Sequence, residues 1–318
     1  MRAPNAVFIR GDDGRVLTYG EFWSLSGRIA NLLAKYSVKA GDRVAVQVHK
    51  SIEALALFLA CARLGAIFLP LNPAYTVAEV SYFIGDAEPS LVICDPAKAE
   101  ALAQIADPIL TLDDRGGGNL MEACEDQCSL FGDAAMDWDD AIAILYTSGT
   151  TGKSKGALLS HGNLASNAVT LVEAWRFTAK DVLIHALPVY HTHGLFTATN
   201  TMLLSGGGLL FRRKFDVDDV ISLLPKATAL MGVPTFYTRL LEHKALTRRR
   251  VSQISRMKIV GQNFGKWGHG DQSRMPGSPP TGQPALPTIG QLRFPMRGAS
   301  ACIPSKLTIS FHKIMSSC

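Results

Sequence analysis

Leu145-Tyr-Thr-Ser-Gly-Thr-Thr-Gly-Lys-Ser-Lys-Gly156 is the stretch that decides how the chain is read. It follows the apolar run Ile142-Ala-Ile-Leu-Tyr146, which is short and β-rich. Of residues 147–156, eight are Ser, Thr or Gly and the other two are Lys153 and Lys155. Hydroxyls and free backbone N–H groups donate to phosphate oxygens, glycines let the backbone come close, and a lysine adds charge. Such a strand-then-loop suits a polyphosphate. It does not fit the Walker A spacing, which requires Gly five residues before a Gly-Lys pair. Gly152-Lys153-Ser154 is present, but the required position holds Thr147.

The surrounding sequence predicts an α/β fold in which helices cover mixed sheets. Val44–Val48 and Leu91–Cys94 read as strands, and Ser51–Leu64 and Val77–Gly85 as helices. Thr18 followed by Glu21 is a capping box that opens a helix running through Tyr36. Gly116-Gly-Gly118 marks a surface loop. The longest apolar run, Ala54–Ala62, has nine residues between Glu53 and Arg63. A membrane-spanning helix needs about 20, so this run predicts a buried core helix and no membrane span.

Residue usage changes near residue 251. Residues 252–318 carry eight Gly and seven Pro without period. Residues 251–318 hold eight Lys and Arg against a single acid, Asp271, and account for the whole of the +5 net charge. The basic balance is therefore not a nucleic-acid footprint on the folded body. The expected organisation is a folded body over 1–251, which the resemblance given below implies is a partial N-terminal AMP-binding domain, and a poorly ordered Gly/Pro-rich basic tail over 252–318. Such a tail is either a natural flexible extension or the product of a frame or splice change near the boundary, and the elements missing after Val251, given below, favour the second.

The start of the chain lacks an apolar signal core, which predicts a cytoplasmic protein as written, or a mitochondrial one if a leader precedes Met1. Six cysteines, among them Cys61 and Cys94 in apolar runs, suit a reducing compartment. Cys124 and Cys128 have no second pair at metal-ligand spacing.

Taken whole, Tyr146–Gly156 resembles the phosphate-loop signature of the adenylate-forming enzymes: acyl- and aryl-CoA synthetases, luciferases and nonribosomal-peptide adenylation domains. The resemblance assigns Thr147, Ser148, Gly149, Thr150, Thr151, Gly152 and Lys155 to ATP binding. His185-Ala-Leu-Pro-Val-Tyr-His-Thr-His-Gly-Leu-Phe196 resembles the family's acyl-pocket motif and puts His191 beside the bound acid. Gly232-Val-Pro-Thr-Phe-Tyr-Thr-Arg-Leu-Leu241 resembles the segment flanking that pocket, and Gly65–Pro73 an early helix-to-strand passage. The pattern is most similar to the malonate-using branch and covers about residues 5–250.

The implied reaction joins malonate, or methylmalonate, to CoA through an acyl-adenylate, with ATP, Mg2+ and CoA as cosubstrates. Malonate keeps one free carboxylate, and Arg239 is the first candidate to bind it, with Arg213 and Lys214 as others; an arginine fork matches a carboxylate with two hydrogen bonds. A lone histidine in an apolar run is usually a core residue, and His185 is read that way. The family's later elements are an adenine loop, a Tyr-Gly-x-Thr-Glu string, a ribose-binding Asp and a small domain bearing a catalytic Lys. None is found after Val251. The chain as written is therefore expected to be inactive, with a noncatalytic ATP-binding remnant or interaction protein as the alternative.

Overall fold

The computed structural model describes residues 3–147, 154–252 and 256–259. Two six-stranded sheets form the body. In chain order the strands are β1 (Val7–Arg10), β2 (Val16–Thr18), β3 (Arg43–Gln47), β4 (Ile67–Pro70), β5 (Leu91–Cys94), β6 (Ile109–Thr111), β7 (Ala141–Thr147), β8 (Lys155–Ser160), β9 (Val182–His185), β10 (Gly208–Phe211), β11 (Ala229–Gly232) and β12 (Arg256–Ile259). The first sheet runs β12-β11-β9-β10-β1-β2 and the second β6-β5-β3-β4-β7-β8. All neighbours are parallel except β1/β2 and β7/β8, each of which is antiparallel. The expected helix-covered mixed sheets are thus found. Strand β12 lies beyond residue 251, so the first sheet continues past the point where the sequence pattern changes. The nucleotide-loop residues 148–153 lie outside the described residues, as do 260–318 and with them most of the expected tail.

Three helices carry the sequence logic. Helix α1 (Tyr19–Lys35) opens on the predicted capping box: the Thr18 side chain accepts from the Glu21 N–H and the Glu21 carboxylate accepts from the Thr18 N–H. Helix α3 (Val77–Ala87) repeats the device with Thr76 and Glu79. Helix α2 (Ile52–Leu64) starts at Ser51, whose hydroxyl accepts from Ala54 N–H. It stops at Gly65, whose left-handed backbone (φ 80°) suits a residue without Cβ.

All thirteen residues of α2 are buried. A helix apolar all round must be covered on every side. Phe58 shows how: its ring lies 5.5 Å from that of Phe68 on β4 and 5.3 Å from that of Phe196, between β9 and β10 in the chain. One side chain therefore packs against elements of both sheets. The charged ends of α2 are neutralised in place. Glu53 pairs with Arg15. Arg63, 1% exposed, pairs with Asp133 at 2.7 Å, donates to the carbonyls of Trp23 and Phe131, and lies over the Trp23 ring.

Phe58→Ala is expected to lower unfolding free energy by about 3–5 kcal/mol, the cost of an unfilled aromatic cavity. Leu158→Ala, at a residue 62% exposed, should change it by less than about 0.5 kcal/mol. Urea titration of the two variants checks this; equal midpoints would contradict the packing.

Candidate functional site at the carboxyl edges of the two sheets

In open parallel sheets, ligands bind beyond the carboxyl ends of the strands. Here both sheets send their chemistry-bearing residues to that edge. From the second sheet, β7 ends at Thr147 and turns back into β8, with Thr147 directly opposite Lys155. The intervening loop therefore starts and finishes at one place. Of the seven residues assigned to ATP, Thr147 and Lys155 are described, both exposed at the neck of the loop. Ser148, Gly149, Thr150, Thr151 and Gly152 lie outside the described residues.

The neck is braced by α3, which the sequence reading did not single out. The Tyr146 hydroxyl donates to Asp86 at 2.5 Å, and the Tyr82 hydroxyl donates to the Ser154 carbonyl at 2.9 Å. The Phe83 ring lies 4.5 Å from that of Tyr146. Burial, with Asp86 second, pushes the Tyr146 phenol well above its ordinary pKa, so it remains a donor. The sequence does show two aromatics in a predicted helix, but not that they turn toward a loop about 65 positions later.

From the first sheet, β9 delivers the motif His185–Phe196. His185 is 1% exposed. Its Nε2 lies 2.9 Å from the Gly194 carbonyl and its Nδ1 2.8 Å from Lys50 Nζ. Burial first, and the nearby Lys50 charge second, hold it far below the ordinary histidine pKa. It is the satisfied core residue expected. His191, six positions on, sits at the surface against the Tyr190 ring at 4.4 Å, and its carbonyl accepts from Leu195 N–H. Partial desolvation lowers its pKa. His193 is half-buried; desolvation pushes it down to about 4, and its Nε2 has no hydrogen-bond partner among the described residues.

The chain then winds into a π-helical turn, His193–Ala198, a form often found at functional positions. Gly194 belongs here for steric reasons, since a Cβ would run into the Pro188 carbonyl.

The candidate arginines separate cleanly. Arg213 is spent: it pairs with Asp12 at 3.1 Å and Asp114 at 3.3 Å. Lys214 is exposed. Arg239 sits on the helix Pro234–Leu241, which follows β11, and β11 is the direct neighbour of β9. Its guanidinium lies 5.3 Å over the Phe215 ring, which is stacked on Phe236 at 3.8 Å. Among the described residues Arg239 has no carboxylate partner.

Among the described residues no group of three His, Cys, Asp or Glu is placed to hold a metal ion, and no helix is long and apolar enough to cross a membrane.

The two strand exits, one at the neck of the Ser/Thr/Gly/Lys-rich segment and the other leading into a histidine-bearing turn, make the candidate site. A family model described as "AMP-binding enzyme" matches residues 1–301, and the chain belongs to that family. The crystal structure of ATP-bound MatB from Rhodopseudomonas palustris superposes with a TM-score of 0.80 at 49% identity, covering 81% of this chain and 52% of that one. A feruloyl-CoA synthase from an Amycolatopsis species is 32% identical over 260 residues, covering 81% of this chain and 51% of the relative. A mitochondrial malonate–CoA ligase of Mus musculus is 31% identical over 256 residues, covering 75% and 43%. The chain spans about half the length of the curated relatives it matches.

His193 has a testable electrostatic consequence. Its folded-state pKa, about 4, lies below the value near 6.5 of an unfolded chain. The unfolded state therefore binds the proton first as pH falls, and stability is lost from about pH 6.5 down to about 4, then levels. His193→Gln should remove on the order of 2–3 kcal/mol of that acid-side loss. Denaturant unfolding of both proteins at pH 7 and pH 4 measures it, and a constant difference would refute the desolvated histidine.

Proposed function

We propose that this chain is the ATP- and acid-binding part of an acid:CoA ligase whose acid is malonate, or its methyl homologue. The observation that carries the proposal is Arg239: a cation with no carboxylate partner among the described residues, on the helix that follows the neighbour of the strand delivering His191. A dicarboxylate activated at one end still carries a charge at the other, and an enclosed carboxylate needs a cationic partner. The likeness to ATP-bound MatB and the malonate–CoA ligase relative support the same reading.

The proposed chemistry has two steps. A carboxylate oxygen of the acid attacks the α-phosphorus of ATP, the bond to the bridging oxygen breaks, and pyrophosphate leaves. The CoA thiol then attacks the acyl carbon, loses its proton and expels AMP. Mg2+ would arrive with the nucleotide as part of the substrate. A carboxylate is already a nucleophile, so the protein's task is alignment and charge stabilisation. Thr147, Ser148, Gly149, Thr150, Thr151, Gly152 and Lys155 are assigned to the phosphates by hydroxyl, backbone N–H and ammonium donors. His191, kept neutral by partial desolvation, can donate to the acid's carboxylate. Arg239 takes the second carboxylate. A methyl group is worth only about 1–3 kcal/mol in a pocket, so both malonates fit one arrangement.

The decisive measurement is acid-dependent ATP–pyrophosphate exchange in a chimera joining residues 1–250 to the remaining half of the Rhodopseudomonas palustris protein. Exchange should be driven by malonate far better than by acetate or ferulate; equal rates would overturn the acid assignment. In that chimera Arg239→Met, at a residue exposed in this chain, should cost about 1–3 kcal/mol of malonate recognition, the range for hydrogen bonds to a charged group. Arg213→Met, at an exposed ion pair, should cost less than about 1 kcal/mol.

For the 318 residues themselves no thioester is expected, because the Tyr-Gly-x-Thr-Glu string is not in them. CoA-dependent product above blank would sink that expectation and with it the noncatalytic alternative.

A further inference from the structure

Lys50 is only 7% exposed, and it belongs to the second sheet: it follows β3 and immediately precedes Ser51, the cap of α2. Its ammonium nevertheless ends in the first sheet. Nζ lies 2.8 Å from His185 Nδ1, 2.8 Å from the His185 carbonyl and 2.8 Å from the Leu187 carbonyl, with the Phe211 ring 4.4 Å away. No described carboxylate bonds to it. A buried cation without an anion needs a specific reason to persist.

The proton count supplies that reason. A lysine ammonium has three N–H donors and no acceptor, and here three acceptors surround it. A neutral amine would leave one of them facing a lone pair. The neutral tautomer protonated on Nδ1 does not help, because Nε2 would then face the Gly194 carbonyl at 2.9 Å without a hydrogen, beside the Thr199 hydroxyl at 3.3 Å. One positive charge on the pair satisfies every atom and keeps a proton on His185 Nε2; lysine is ordinarily the stronger base by about four pKa units, which puts the charge on Lys50 and leaves His185 neutral. Burial pulls the Lys50 pKa well down, with Asp12 acting against it and Arg212 with it. The three acceptors and the aromatic face oppose that pull.

The bonds have a direction. Lys50 holds residues 185 and 187 directly and residue 194 through the His185 ring. The Thr199 hydroxyl donates to the same Gly194 carbonyl at 3.0 Å. The segment between those anchors, 188–193, contains His191. We propose that Lys50 is a positioning residue: it clamps both ends of the 185–194 turn to the β3–α2 junction and thereby sets where His191 stands. Its meaning for acid recognition rests on the reading of His191 given above, whereas the clamp itself can be tested without substrate.

The test compares the 318-residue chain with Lys50→Met by amide hydrogen exchange. Exchange in 186–195 should rise at least about tenfold while β3, β5 and α1 stay within about twofold, since local opening is separable from global unfolding. Histidine-selective NMR of the unaltered chain should find the His185 proton on Nε2, and Lys50→Met should shift the Nδ1 resonance. If Lys50→Met does not fold, His185→Leu, which removes the ring acceptor and puts no other in its place, should give the same local rise. Three results would overturn the clamp: unchanged exchange in 186–195, a rise spread evenly over all core strands, or a His185 proton on Nδ1. A separate malonate titration, read at the His191 ring, judges the pocket reading. Loss of that response alone leaves the clamp standing and removes only its link to the acid.

Discussion

Everything in this molecule depends on covering α2. A thirteen-residue helix with no polar face cannot be stable at a surface, and neither sheet alone can enclose it. Phe58 meets Phe68 from the second sheet and Phe196 from the segment that leaves the first. The hydrophobic term therefore forces the two sheets together around one helix. Each sheet then presents a polar segment beyond the carboxyl end of a parallel strand, β7 in one and β9 in the other. The apolar core thus sets the frame on which the candidate site is built.

That core was legible in the sequence because its signals are local. The Thr18–Glu21 capping box, the Ser51 start and the Ala54–Ala62 run each predict one element, and each is found within a residue or two of the expected place. The strand 91–94 has its expected bounds, and 142–146 gains one residue at each end. What was not legible is non-local. Nothing in Tyr82 or Asp86 announces that they brace the neck of a loop that begins at residue 147. Nothing in Lys50, a lysine before a helix cap, says that it crosses to another sheet. Its ordinary reading is a solvated charge, and only the fold reveals three acceptors around it.

The candidate site shows the same limit within single residue types. His185 and His191 stand six positions apart in one motif, yet one is sealed in the core and the other meets solvent. Arg213 and Arg239 were both credible partners for a carboxylate. Two acids from distant parts of the chain, Asp12 and Asp114, neutralise the first. The second rests on an aromatic face, which orients a guanidinium without consuming its hydrogen-bonding fork. Residue type nominated these groups; partners brought together by the fold sorted them.

The β3–α2 junction joins the two themes. Within fifteen residues it contributes Lys50, Ser51, Phe58 and Leu64. Phe58 meets the far end of the 185–196 segment through Phe196, and Lys50 holds the near end through His185 and Leu187. One grip is apolar and tolerant of small displacements, because dispersion is spread over many contacts. The other is polar and directional, because three hydrogen bonds from one nitrogen fix an orientation. A turn held only by the first could slide along the core. Held only by the second, it would leave a charge without the surrounding packing that excludes water. In the proposed reading, the combination holds the backbone around a surface histidine from both ends, as an alignment-dependent reaction would require.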